Sequence, residues 1–180
     1  MQILRIINND IPLNYILESG SKTLSELCKK DTGICDETVG IITLDNYDIR
    51  LSVYAEFDNP DDLALIYFKF DDKKIGSFVY LNKFEIFNEK YLLITELNSY
   101  NNNLVIHFYD KTGKEVASYE ATNLDFDYKL ENNELYYYHC NSAESNMGDG
   151  ENLPKVSYYK INPENITEKI EISSNYQKCA

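Results

Sequence analysis

Few residues in this chain stand at a spacing that would assign them chemistry. The triplet Asp31-Thr32-Gly33 is of the kind that surrounds a catalytic aspartate, but that chemistry needs a second carboxylate facing the first, and no second Asp-(Ser/Thr)-Gly occurs. It follows Lys29-Lys30 and reads instead as a turn in which Gly33 stops a short helix. His107 and His139 are the only histidines; neither accompanies a nucleophile motif, so both read as packed or surface residues and no enzymatic activity is expected. The cysteines Cys28, Cys35, Cys140 and Cys179 match no paired spacing. In a reducing compartment they are free thiols, whereas export would allow a Cys28–Cys35 bridge and Cys179 could reach a neighbour. His139 and Cys140 are adjacent, but successive strand residues point to opposite faces and a metal needs about four ligands, so neither metal nor cofactor is expected. The acidic stretch Asn141–Pro154 lacks the oxygen spacing of a calcium loop.

The elements that would position these residues are strands. From Asn82 to Thr122, period-two alternation and turn chemistry place four: Phe84–Phe87, Tyr91–Leu97, Leu104–Tyr109 and Lys114–Glu120. Asn88-Glu89-Lys90, Asn98–Asn103 and Asp110-Lys111-Thr112-Gly113 separate them, the last using Gly113 for the positive φ of a tight hairpin. Leu104, Ile106 and Phe108 form one face, while Val105, His107 and Tyr109 form the other.

The same plan recurs on either side. Upstream it predicts strands over Gly40–Leu44, Ile49–Phe57, Leu63–Phe70 and Ile75–Tyr80; downstream, over Phe126–Leu130, Leu135–Cys140, Lys155–Ile161 and Thr167–Ile172. First strands recur about every 43 residues, within the roughly 40 to 50 residues of a four-stranded propeller blade. The predicted fold class is all-β: three four-stranded antiparallel meanders resembling an incomplete β-propeller, in one domain over 1–180. Repeats span 39–81, 82–122 and 123–172, and Asn141–Pro154 reads as an irregular loop inserted in the third. Residues 1–38 read as a cap, with a strand over Gln2–Ile7, a strand or turn over Ile11–Leu17, and a capping box at Thr23–Glu26 opening a helix to about Lys30. The tail from Ser173 to Ala180 reads as frayed. Three blades cannot close a ring that needs at least four, which leaves open edges that suit a binding module.

Charge narrows the partners. Thirty acidic residues against 17 basic ones give a net charge of −13, a field that repels phosphate backbones and attracts basic proteins, so nucleic acid is not an expected ligand. Many acidic domains carry such charge for solubility alone. Tyrosine is abundant at 16, which supplies contact area at low entropic cost, although codon usage in an A/T-rich genome produces the same enrichment. No leader and no apolar run near 18 residues is visible, so a cytoplasmic location without a membrane partner is expected.

A small, strongly acidic, tyrosine-rich β protein without a catalytic motif resembles the immunity proteins that accompany secreted bacterial toxins, including those of contact-dependent growth inhibition systems. The resemblance implies tight binding of one basic toxin, often a nuclease, and occlusion of its active site or substrate cleft. Carboxylates of three loops would then mimic phosphate charge: Asp58, Asp61 and Asp62; Asp125 and Asp127; Glu144, Asp149 and Glu151. Tyr136, Tyr137 and Tyr138 would anchor the contact by burial. The alternative is a scaffolding β-repeat protein that self-assembles through its open sheet edges. Without a partner the chain is expected as a monomer or homodimer.

Overall fold

The computed structural model describes residues 5–7, 14–17, 20–23, 34–56, 65–78, 81–98, 100, 103–122, 129–131, 134–148 and 151–179. Every regular element among them is a β-strand. At the N-terminus β1 (Arg5–Ile7), β2 (Asn14–Leu17) and β3 (Gly20–Thr23) form a small antiparallel sheet. Three antiparallel meanders of four strands follow, and none closes into a barrel. The first sheet runs β4 (Ile34–Leu44), β5 (Tyr47–Glu56), β6 (Leu65–Phe70), β7 (Lys73–Phe78). The second comprises β8 (Leu81–Phe87), β9 (Tyr91–Leu97), β10 (Leu104–Tyr109), β11 (Glu115–Ala121), and the third β12 (Lys129–Glu131), β13 (Glu134–Gly148), β14 (Glu151–Asn162), β15 (Asn165–Tyr176).

Turn chemistry fixes the hairpins. Asp45 and Asn46 both take positive φ, 50° and 63°, as a two-residue turn matched to strand twist demands, and Asn88 and Glu89 repeat this at 50° and 55°. At Gly113, φ is 72° and an added Cβ would lie 2.5 Å from Ile75 of the first sheet, so this turn needs glycine for both its backbone and its neighbour. Asp110 braces the same turn, its carboxylate accepting from Thr112 N at 2.8 Å and Lys114 N at 3.2 Å.

The second sheet is the middle layer. Leu92, Leu93, Ile94 and Thr95 of β9 are all fully buried, so consecutive residues pointing to opposite faces both meet protein. One face of this sheet meets the first sheet, where Phe78 packs edge-on to His107 and Tyr109 at 5.7 and 6.5 Å between ring centres. The other face forms a common core with the third: Phe87, Leu93, Leu104, Ile106 and Phe108 pack with Leu135, Tyr137, Ile161 and Ile166. Hydrogen bonds tie the turns at one end of the stack. Asp45 N donates to Glu89 O at 2.6 Å, Lys111 pairs with Asp45 at 2.6 Å, and Asn88 reaches Pro163 O at 2.9 Å.

Several sequence expectations change. Asn141–Pro154 is mostly strand: β13 and β14 continue into a long hairpin with a register shift between Asn141 and Ser145. Pairing of both backbones outweighs the polar composition that suggested a loop. β4 begins at Ile34 rather than Gly40, pairing Cys35 with Ala55. Gly20–Thr23, read partly as a helix cap, is a strand; the predicted helix to Lys30 and the Asp31–Gly33 turn lie outside the described residues. The C-terminus is not frayed, since β15 runs to Tyr176, Gln177 N donates to Pro154 O at 3.1 Å, and Cys179 is bonded to Cys140. That disulfide, with Cα atoms 6.0 Å apart, corrects the expectation of free thiols for this pair. No described helix is long and apolar enough to cross a membrane.

Candidate functional site

No further strand pairs with or continues the third sheet among the described residues, and its second face is open around Tyr158 although Val156 on that face is 2% exposed. Alternation directs Leu135, Tyr137 and Ile161 into the core and Glu134, Tyr136, Tyr138, Tyr158 and Lys160 outward, with Tyr136 opposite Lys160 and Tyr138 opposite Tyr158. The Tyr138 and Tyr158 rings lie 5.9 Å apart, and Tyr158 is 38% exposed. Glu134 accepts from both Lys160 and Tyr136. Those two bonds, Lys160 first, hold its carboxyl below the usual range, and the lysine is raised in return. What remains outward is an aromatic patch beside a neutralised ion pair.

Of the three tyrosines expected to act together, only Tyr136 and Tyr138 share this face. Tyr137 is 2% exposed and packs between Tyr119 and Tyr159 at 5.8 and 5.2 Å, where burial pushes its hydroxyl well above the ordinary phenol range. Period-two geometry forbids three consecutive strand residues from sharing a surface. Glu144 and Glu151 sit on β13 and β14 rather than in a loop. Asp58, Asp61, Asp62, Asp125, Asp127 and Asp149 lie outside the described residues. The strands that lead into those acidic segments, β5, β11 and β13, all run away from the tied turns, since β5 starts after Asp45-Asn46, β11 after the Lys111 turn, and β13 opposite the strand end before Pro163.

A second cluster escaped sequence reading. His107 bridges two carboxylates, with Nε2 3.1 Å from Glu96 Oε1 and Nδ1 3.1 Å from Glu115 Oε2. The Tyr109 hydroxyl donates to the same Glu115 oxygen at 3.1 Å, and Ser118 Oγ lies 3.5 Å from Nδ1. Burial alone would lower the histidine pKa, but the hydrogen bonds and charges of Glu96 and Glu115 together raise it. Alternation did set His107 apart from the Leu104 face. Its partners come from β9 and β11, and only strand register brings them to it.

A groove of about 400 Å³ opens at the tied turns between Thr43, Asp45, Asn46, Ile86, Asn88 and Lys90. Glu164 closes one side through its 3.2 Å ion pair with Lys90.

No family model, curated protein or solved structure matches this chain.

The chemistry open to these groups differs. Both ring nitrogens of His107 face carboxylates, so the ring is suited to hold a proton as a cation between two anions and offers no lone pair to a nucleophile. Ser118 is farther from Nδ1 than Glu115 is, which argues against serine activation. Cys140 is committed to its disulfide, which takes its thiolate away from any ligand set with His139. The tyrosine face offers two half-buried rings, Tyr136 and Tyr138, beside the exposed Tyr158. Such rings combine apolar area with a polar hydroxyl.

Proposed function

We propose that this chain is a binding protein that captures and neutralises a basic protein, in the manner of the bacterial toxin-immunity proteins it resembles, and that the outer face of the third sheet makes the contact. The observation that carries this reading is the outward Tyr136–Tyr138–Tyr158 patch, with Tyr158 exposed and the other two half-buried, on a chain of net charge −13. Aromatic side chains at the centre of an interface supply most of the energy on docking, while an acidic field around them speeds the approach of a basic partner and selects against acidic ones. Occlusion of the partner's substrate cleft follows if that cleft is itself basic, as in enzymes that act on phosphate backbones.

The test begins with the tagged chain recovered at low salt from its native host and mass spectrometry of whatever co-purifies at equal stoichiometry. Affinity for the recovered partner is then titrated against salt for the native chain and for Tyr138→Ala with Tyr158→Ala. A basic partner whose binding weakens with salt, and weakens by roughly 30-fold or more (about 2 kcal/mol) in the double variant, is expected. Undiminished affinity in a variant that keeps its β-sheet circular dichroism would remove this face from the interface.

A further inference from the structure

The edge strand β15 carries a pattern that the tyrosine face does not use. It pairs with β14 alone among the described strands and is exposed at ten of its last ten positions, including Ile170 at 45% and Ile172 at 55%. Natural sheets blunt such edges with charge, a proline, bulges or brevity; this edge runs 12 residues with one lysine, Lys169, and register shifts at Ile172 and between Asn165 and Lys169 leave residues 169–171 as its regular centre.

We propose that β15 is a homodimerisation edge, pairing antiparallel with β15 of a second copy about a two-fold axis at Ile170. A two-fold axis perpendicular to the sheet keeps every side chain on its own face, so residues that meet across it are separated in sequence by an even number. That leaves few registers. Centring on Glu168, Lys169 or Glu171 sets each of those charges against its own copy, which is unfavourable. Centring on Ile170 sets Ile170 against Ile170 and Lys169 against Glu171 twice, once on each side of the axis. The two charges are already on one face: Lys169 lies opposite Ile161 and Glu171 opposite Tyr159, both core-facing positions of β14. Lys169 covers the Tyr159 ring at 4.5 Å and Glu171 lies 4.0 Å from Lys155, contacts that hold both side chains on that face. Pairing would join two third sheets into one eight-stranded sheet and cover the longest edge strand among the described residues. It does not depend on what the tyrosine face binds.

Sedimentation equilibrium over a wide concentration range reads the result. The native chain is expected at twice 20.9 kDa, and Glu171→Lys or Lys169→Glu alone should raise the dimer dissociation constant by roughly tenfold or more, because each places like charges opposite one another twice. The combined variant Lys169→Glu with Glu171→Lys restores opposite charges across the axis while leaving the Lys155 and Tyr159 contacts unrestored, so recovery of the dimer identifies the register. A native chain that stays monomeric, single variants that dimerise normally, or a double variant no better than the singles would each overturn the proposal.

Discussion

His107 shows how one side chain ties the fold to pH. Its ring sits between the first and second sheets, against Phe78 and between Glu96 and Glu115. The folded state raises its pKa, so the bound proton stabilises the fold fully below the unfolded value of about 6.5, and that contribution is lost as pH rises through the higher folded value. Above it, the half-buried Glu96 and the more exposed Glu115 face a neutral ring that can donate to only one of them. Native stability is therefore expected to fall as pH rises from about 6.5 toward 8, and His107→Gln should flatten that slope while costing about 1–3 kcal/mol at pH 6. Denaturant titrations at several pH values check this; parallel slopes in both proteins would show that His107 is not the titrating group.

At the scale of elements, the third sheet departs from its two siblings. Its central hairpin is longer than any other, and its last strand lies at an open edge with the chain end folded back. Two links meet at β13, and one of them ties down that end. Thr122, following β11, donates its N–H to Tyr138 O at 2.9 Å and accepts from Cys140 N at 2.6 Å, while the Cys140–Cys179 bond closes a span of 39 residues. Closing a span of that size stabilises a fold by about 2–4 kcal/mol. Cys179→Ser should lose that amount in a thermal or urea melt, and native protein under reductant should match the variant. Reductant that leaves the native melt unchanged would show that the link does not constrain the unfolded chain.

Across the whole molecule, the second sheet is the shared layer, and a change in its core is felt by a neighbour. Phe108 contacts Phe87, Tyr91 and Tyr119 at ring separations of 5.4, 6.5 and 6.2 Å within the cluster that also contains Leu135 and Ile161. Phe108→Ala should cost about 3–5 kcal/mol. Because the cavity lies between two sheets, hydrogen exchange in β13 and β14 should quicken together with that in β10. Faster exchange confined to the second sheet would mean that the sheets are stable independently.

The meander plan was legible because its signals are local. Alternation in Tyr91–Leu97 and Leu104–Tyr109 gave β9 and β10 at their observed bounds, and Gly113 marked its turn by its own backbone demand. The long β13–β14 hairpin was not legible, since Asn, Ser and Glu have weak strand preference and only pairing with the opposite strand makes that segment extended. Alternation also implied that Tyr137 parts company with Tyr136 and Tyr138, a consequence the cluster of three tyrosines obscured. Glu96 and Glu115 lie 11 and 8 residues from His107, and Cys140 lies 39 from Cys179. Composition and periodicity by themselves determined an acidic, all-β repeat chain. Which carboxylates meet the histidine, which cysteines join and which tyrosines face outward were decided by strand register and sheet stacking, because contacts between residues distant in sequence leave no periodic trace along the chain.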